Sequence, residues 1–207
     1  MMEKKKGISY GQSYLSLIDH ITLHLRLKKV VKILKGIPNI ETEELNVIEL
    51  GCGYKGDNIQ KLAKRYPKAL FDGIDLQVNP ETHRFGLNLI SGDITNWQGS
   101  KQYDIVLSLA VIEHLINPLQ HLQLIHQLLK PEGIAVLTSP TPESHFLWNV
   151  LKSLCLIDNS LGNEHIIYLT KRGIVQLSQK AGLRIAKLRN FEVGLNQIVV
   201  FTREKEV

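Results

Sequence analysis

The sequence predicts an α/β fold built on a mostly parallel sheet, and two observations carry that prediction. Short apolar runs alternate along the chain with amphipathic stretches of helical length, the pattern of βαβ units whose sheet is covered on both faces. The first of those runs also ends in a glycine-rich turn, Gly51-Cys52-Gly53-Tyr54-Lys55-Gly56, that leads into a helix.

Each element has its own signal. Leu15 to Lys35 reads as a helix, with Leu17, Ile21, Leu25, Val31 and Leu34 spaced for one face, and Gly36 followed by Pro38 ends it. Val47 to Leu50 is a short buried strand. After the glycine turn, Asp57 is positioned to cap a helix whose inward face is Ile59, Leu62, Ala63 and Tyr66, closed by Pro67. Leu70 to Leu76 and Leu87 to Ile90 are strands, the first carrying Asp75 at its end and the second running into Ser91-Gly92-Asp93. Tyr103 to Leu109 is a nearly continuous apolar strand. Pro118 to Leu129 is a helix stopped by Lys130-Pro131-Glu132-Gly133, and Ile134 to Thr138 is the next strand. Thr170 caps a helix through Lys180 that ends at Gly182, and Arg184 to Leu188 and Ile198 to Thr202 are the last strands.

Composition bounds the class of protein. With 207 residues, 43% of them hydrophobic, the chain can bury a full core as one domain without disulfides or a structural metal. Cys52 and Cys155 have no CxxC or Cys/His spacing, which excludes a zinc ribbon or disulfide scaffold and suits a reducing compartment, so a cytoplasmic protein is expected. No apolar run approaches the roughly 20 residues of a membrane span, and no apolar export segment follows the lysines at the start. The net charge of +5 is local: residues 1–36 hold eight basic and two acidic residues, the other 171 hold 17 and 18. A neutral body argues against a dedicated nucleic-acid binder, and the basic stretch reads as a solvated helix face.

In sheets of this kind ligands sit outside the carboxyl ends of the strands. There the sequence places Gly51, Gly53 and Gly56, which let backbone approach a ligand at a helix N-terminus, and Asp75, whose carboxylate can accept both hydroxyls of a ribose. Asp93 can accept from an exocyclic amine, or simply close a turn. Together these acceptors indicate a nucleoside, with NAD and S-adenosylmethionine both open. Glu49, directly before the glycines, would repel a pyrophosphate but can accept from the ammonium of a methionine moiety, which favours the cationic cofactor.

The segments Val47-Ile48-Glu49-Leu50-Gly51-Cys52-Gly53, Gly73-Ile74-Asp75-Leu76, Gly92-Asp93-Ile94, Tyr103-Asp104-Ile105-Val106 through Glu113-His114-Leu115, and Leu129-Lys130-Pro131-Glu132-Gly133 resemble the class I S-adenosylmethionine-dependent methyltransferases. Order and spacing match over roughly residues 44 to 140. The ending, from Glu164-His165 through Leu169-Thr170 to Ala181-Gly182-Leu183, resembles the small-molecule branch, such as quinone and sugar O-methyltransferases. The resemblance implies a Rossmann-like, seven-stranded sheet with an antiparallel last strand. It implies Glu49, Gly51, Cys52 and Gly53 around the methionine moiety, Asp75 with Leu76 at the ribose, Asp93 with Ile94 at the adenine, and Leu109 with Ala110 beneath the methionine end. It also implies an N-terminal helical lid segment at 1–40 and a single domain at 41–207 with a lid insertion at about 140–168.

Two departures stand out. The family's G-x-G-x-G loop is here lengthened by one residue before Gly56. The position three before the Glu113-His114 pair, a metal-binding carboxylate in some quinone O-methyltransferases, is Ala110, so no metal is expected. His20 and His24 likewise lack a third ligand. Methyl transfer is an in-line displacement that needs alignment above all, with a base only where the acceptor must lose a proton. His114 is the first candidate for base or acceptor contact, His165 the second, and Glu113 can orient His114 or an acceptor hydroxyl. Tyr10 and Tyr14 could close over the cofactor, by analogy with the family. The apolar stripe Phe146, Leu147, Trp148, Val150, Leu151, Leu154 and Cys155 reads as core, as a cleft wall for a partly apolar substrate, or as a homodimer or membrane contact.

The expected activity is transfer of a methyl group from S-adenosyl-L-methionine to an oxygen, before nitrogen or carbon, of a small metabolite. The competing readings are a non-catalytic cofactor-binding or scaffold protein with the same fold, an RNA methyltransferase gripping backbone with the basic helix, and an NAD-dependent dehydrogenase.

Overall fold

A computed structural model describes residues 17–81, 87–146 and 166–203. The elements run α1 (Leu17–Leu34), β1 (Asn46–Leu50), α2 (Asp57–Arg65), β2 (Leu70–Asp75), β3 (Leu87–Ser91), β4 (Tyr103–Leu109), α3 (Pro118–Leu128), β5 (Leu129–Pro140), α4 (Lys171–Lys180), β6 (Leu183–Phe191) and β7 (Asn196–Arg203). They form one seven-stranded sheet in the order β3-β2-β1-β4-β5-β7-β6. β1 pairs in parallel with β2 and β4, β2 with β3 and β4 with β5, and β7 runs antiparallel to both β5 and β6. The order reverses between β1 and β4, which opens the crevice where such sheets take ligands.

Two apolar layers hold the sheet. On one face α3 and α4 bring Leu122, Ile125, Leu128 and Ile174 onto Ile48, Leu50, Val106 and Leu137. On the other, α1 and α2 bring Val30, Leu34, Ile59 and Leu62 onto Val47, Phe71, Ile105, Leu107 and Val136. The amino ends of the strands are locked by acids with partners. Asp72 accepts from Asn88 Nδ2 at 3.0 Å, Lys101 Nζ at 2.8 Å and the Tyr103 hydroxyl at 2.9 Å, and Asp104 accepts from Asn46 N and Lys130 Nζ, both at 2.8 Å. His121 of α3, fully buried and with its pKa pushed down to about 4 by that burial, meets Ser108 Oγ of β4 through Nε2 at 2.8 Å. A neutral imidazole is what this interior accepts.

Three local expectations need correcting. The α2 cap is not Asp57 but Gly56, at φ 63°, with no side-chain capping bond; Asp57 is the first helical residue. The one-residue insertion in the loop therefore ends in a left-handed glycine that turns the chain directly into the helix. Lys130-Pro131-Glu132-Gly133 is not a turn between elements. It lies within β5, where the register against β4 jumps from the pair Tyr103 and Leu129 to the pair Ile105 and Ile134, a bulge that absorbs the extra residues. Among the described side chains of α1, Leu34 is buried and Val31 packs against the core as expected, but Val30 is buried as well and Leu25 is 37% exposed, so the packed face is centred nearer Val30 than expected. The Thr170 cap is as expected, its Oγ1 accepting from Gly173 N at 3.0 Å.

Gly73, in the middle of β2, is held to glycine by packing. A Cβ there would sit 2.7 Å from Ile59 Cδ1 and 2.9 Å from both Cys52 Sγ and Leu89 Cδ2. Gly73→Ala is expected to cost about 1–3 kcal/mol of unfolding free energy through overpacking. Urea denaturation would show this as a lower midpoint at an unchanged slope.

Candidate active site

A cavity of about 380 Å³ opens at the carboxyl ends of β1, β2, β3 and β4, lined by Gly51, Asp75, Leu76, Asp93, Ile94, Ala110 and His114, with Val111, Leu115, Thr95 and Gly92 between them. A second hollow of about 360 Å³ continues from it past Ile94, Thr95, His114 and Leu115 to Ile116 and Gln120. The floor is backbone in unusual conformations. Gly51 and Gly53 have φ of 73° and 75°, and Ala110 has φ 59° although it carries a side chain. Ala110 is held there by Thr138, whose carbonyl and hydroxyl both accept from Ala110 N, at 3.0 and 3.2 Å. Such strain in a non-glycine residue persists only where its surroundings enforce it, and it concentrates at functional sites. At Gly51 a Cβ would lie 2.5 Å from Val111 Cγ2, so the loop after β1 and the turn after β4 touch through a missing side chain.

The acids around the cavity differ in how they are held. Asp75 Oδ2 accepts from Gly53 N at 2.8 Å, closing the glycine loop against β2. Asp93 is exposed, and Thr95 N, Thr95 Oγ1 and Asn96 Nδ2 donate to it at 2.8, 2.7 and 3.2 Å. Those hydrogen bonds, led by the Thr95 hydroxyl, hold its carboxyl below the usual carboxylate range. Glu49 has no exposed surface. Its Oε1 accepts from Asn58 Nδ2 at 2.9 Å, and its Oε2 is buried with no hydrogen-bond partner among the described residues. Burial pushes its pKa up to about 7, against the opposing pull of Asn58 and Arg26.

Glu113, in the short 3-10 turn after β4, is in the same state. It is 2% exposed, its Oε2 lacks a partner among the described residues, and burial raises its pKa to about 7. Its carbonyl accepts from Ile166 N at 2.8 Å and Ile167 N at 3.2 Å, tying the segment before α4 to this turn.

A family model described as a methyltransferase domain matches residues 22–188. The chain belongs to the class I S-adenosylmethionine-dependent methyltransferases. A ubiquinone biosynthesis O-methyltransferase of Rickettsia prowazekii is 25% identical over 127 residues, covering 59% of this chain and 50% of that one. A trans-aconitate 2-methyltransferase of Rhodopseudomonas palustris is 29% identical over 98 residues, or 45% of this chain and 38% of that one. The chain spans about half the length of the curated relatives it matches. Among solved structures, magnesium protoporphyrin IX methyltransferase from Synechocystis PCC 6803 superposes with a TM-score of 0.68 over 93% of this chain and 90% of that one, at 18% identity, a likeness of fold.

In this member of the family the expected site residues fall into three groups. Gly51, Asp75, Leu76, Asp93, Ile94, Ala110 and His114 come together on the cavity wall. Glu49, Gly53 and Glu113 stand beside it. Three others face elsewhere: the Cys52 thiol turns inward toward Gly73, Leu109 packs in the core with α1 and α2, and Gly56 caps α2 against Leu89 and Ile59. His165, Tyr10, Tyr14 and Cys155 lie outside the described residues, and of the apolar stripe only Phe146 is described, on the surface.

Two charged residues were missed. Arg26 of α1 has a buried Nε without a partner among the described residues, and its guanidinium acts electrostatically on Glu49, Glu113 and Glu192. Glu192, at φ 51° in the β6–β7 turn, is held by Asn196 Nδ2 through Oε2, while its buried Oε1 lacks a partner among the described residues. The only sequence signal for Arg26 was an arginine among the lysines of α1, and Glu192 had none.

Burial raises Glu49 from the ordinary carboxylate value of about 4.5, which it regains when unfolded, up to about 7 in the folded chain. Its neutral form thus contributes stability that is fully present below pH 4.5 and lost as pH rises through 7. Glu49→Gln removes the penalty of the buried charge, so its unfolding free energy should exceed that of the parent by up to about 3 kcal/mol at pH 8 and converge with it near pH 5. Urea titrations at the two pH values test this; a variant less stable at pH 8 would mean that Arg26 already compensates the ion.

Proposed function

We propose that this protein transfers the methyl group of S-adenosylmethionine to an oxygen, before nitrogen or carbon, of a small metabolite. The observation that carries this reading is the buried, half-satisfied Glu49 beside the glycine loop. An unpartnered carboxylate oxygen at that point suits an ammonium and is wrong for a pyrophosphate. The remaining groups fit the same ligand. Asp75 lines the cavity with Gly53 N on its Oδ2, and ribose hydroxyls can donate to the same carboxylate; Asp93 and Ile94 line the part of the cavity that suits the adenine edge, and Arg26 is the cation for the methionine carboxylate.

When bound, S-adenosylmethionine supplies a sulfonium whose methyl carbon is open to in-line displacement. The protein aligns and dries that line. Ala110 and Val111 form the wall at the end of β4, and Leu115 and Ile94 exclude water from the side. His114, on the wall of both hollows, takes the proton of an acceptor hydroxyl as its oxygen bonds to carbon, and Glu113 holds the acceptor in place. Lys28, Lys29 and Lys32 of α1 and Lys35 after it are exposed, as a solvated helix face would have them. No helix among the described residues is long and apolar enough to cross a membrane, and a cytoplasmic setting is our reading.

Calorimetric titration with S-adenosylmethionine, S-adenosylhomocysteine and NAD should give micromolar-range binding of the first two and none of the third. Tight NAD binding, or no nucleoside binding, would overturn the reading. In the same titrations Asp75→Asn should raise Kd by about 10- to 100-fold, the worth of hydrogen bonds to a charged acceptor. For the base, His114→Ala should lower kcat by about 10²- to 10⁴-fold while leaving the cofactor Kd unchanged; a kcat within a few-fold of the parent would remove His114 from proton transfer.

A further inference from the structure

A separate cavity, of about 330 Å³, opens where the end of β5 and the start of β7 meet the start of α4, and its walls include Thr141, Glu143, Thr170, Lys171, Arg172 and Gln197. It shares no lining residue with the hollows beside β4. One wall carries a buried group that the fold does not satisfy. Gln197 of β7 is 1% exposed, and its Nε2 donates to Leu169 O at 2.6 Å, with Ser139 Oγ at 3.3 Å and Pro140 O at 3.5 Å also within reach. Those acceptors fix which end of the amide is which, and the other end, Oε1, has no hydrogen-bond partner among the described residues. A buried acceptor on a cavity wall calls for a donor from outside the chain.

Another wall is the N-terminus of α4, and its chemistry suits an anion. The first amides of a helix have no intrahelical acceptor, and of those in α4 the Thr170 cap takes Gly173 N, at 3.0 Å. Helices favour acids in the first turn, where they complement the dipole, but α4 has none there and begins instead with Lys171-Arg172. Both of these residues are exposed. Glu143, exposed as well, acts electrostatically on Lys171, so two cations and one acid leave the cavity with a net positive charge beside the positive end of the helix. Cations placed against the dipole weaken a helix start, and a bound anion reverses that effect.

We propose that this cavity binds a small phosphate monoester that also bears a hydroxyl, with the phosphate at the first amides of α4 beside Lys171 and Arg172 and the hydroxyl donating to Gln197 Oε1. A phosphate suits the helix wall better than a carboxylate, because its three terminal oxygens can use both side-chain cations and the helix amides together. The hydroxyl is required by the other wall, since a phosphate dianion has no proton to donate to Oε1. The site goes beyond the methyltransferase reading and does not depend on it.

The test is calorimetric titration of the full chain, at about 0.15 M salt so that loose surface pairing is screened, with glycerol 3-phosphate, inorganic phosphate, glycerate and glycerol. Glycerol 3-phosphate should bind with a Kd below about 1 mM, at least about fivefold tighter than inorganic phosphate or glycerate, and glycerol should not bind. Replacing both exposed cations, Lys171→Gln with Arg172→Gln, should weaken glycerol 3-phosphate and inorganic phosphate alike by at least about tenfold without lowering the urea midpoint. Gln197→Met should erase the preference for glycerol 3-phosphate over inorganic phosphate while both still bind. Where that variant does not fold, the preference in the parent and the double variant decide alone. Equal affinity of the parent for the two phosphates would reduce the site to a patch of charge and overturn the inference. Tighter binding of glycerate, binding of no phosphate, or a double variant that binds as the parent does would overturn it as well.

Discussion

A carboxylate without exposed surface must be answered by a donor or a cation, and at the carboxyl end of β1 that requirement organises the edge of the sheet. Glu49 lies there because β1 is short and buried on both faces, so its side chain has no route to water. Asn58, in the first turn of α2, reaches back to one oxygen, which is why the glycine loop must turn tightly enough to bring α2 over β1. Arg26 adds a favourable charge, and its helix is fixed by packing: Val30, one turn later on α1, is fully buried in the same apolar layer as Val47. The first helix thereby contributes both to the core and to the electrostatics of Glu49. Because desolvation still outweighs both partners at Glu49, the edge remains poised for a further charge.

The sheet was legible from the sequence because its signals are local. Tyr103 to Leu109 coincides with β4, and Asp75 ends β2, because apolar runs and the glycines that follow them report directly on backbone conformation. Side-chain direction was less legible. Cys52 and Leu109 adjoin cavity-lining residues in sequence, yet each points the other way, since successive residues near a strand alternate faces and a left-handed glycine resets that alternation. The α1 face was legible only in part, at Leu34 and Val31: five apolar residues at mixed spacings allow more than one stripe, and only contact with β1 and β4 brings in Val30. Arg26 and Glu192 were illegible because their partners are tertiary. The acids that Arg26 serves lie on other elements, and no spacing rule joins them.

The sequence gives Asp75 the ribose hydroxyls and Asp93 the adenine edge or a turn, and the structure holds the two in different ways. Asp93 directs both oxygens into its own turn, so it is a preformed, ionised acceptor whose position does not depend on a ligand. Asp75 gives one oxygen to Gly53, so the conformation of the glycine loop depends on it. The turn reading of Asp93 and the binding reading do not compete: a carboxylate held by its own loop is pre-organised for a second partner, which is how a binding group avoids the entropy of being ordered by its ligand.

The two edges of the sheet treat the same chemistry in opposite ways. At the amino edge Asp72 and Asp104 each have a lysine within salt-bridge distance, Lys101 and Lys130, both at 2.8 Å. At the carboxyl edge Glu49, Glu113 and Glu192 share one arginine, and each keeps an oxygen with no partner among the described residues. A sequence selected only for stability would pair or replace such groups, because a buried carboxylate held near neutrality weakens the fold as pH rises through its pKa. Acids whose burial raises their pKa thus lie at the edge where the glycine loop, the strained Ala110 and the cavity also lie, and such perturbed groups are more common where a fold binds than where it only packs.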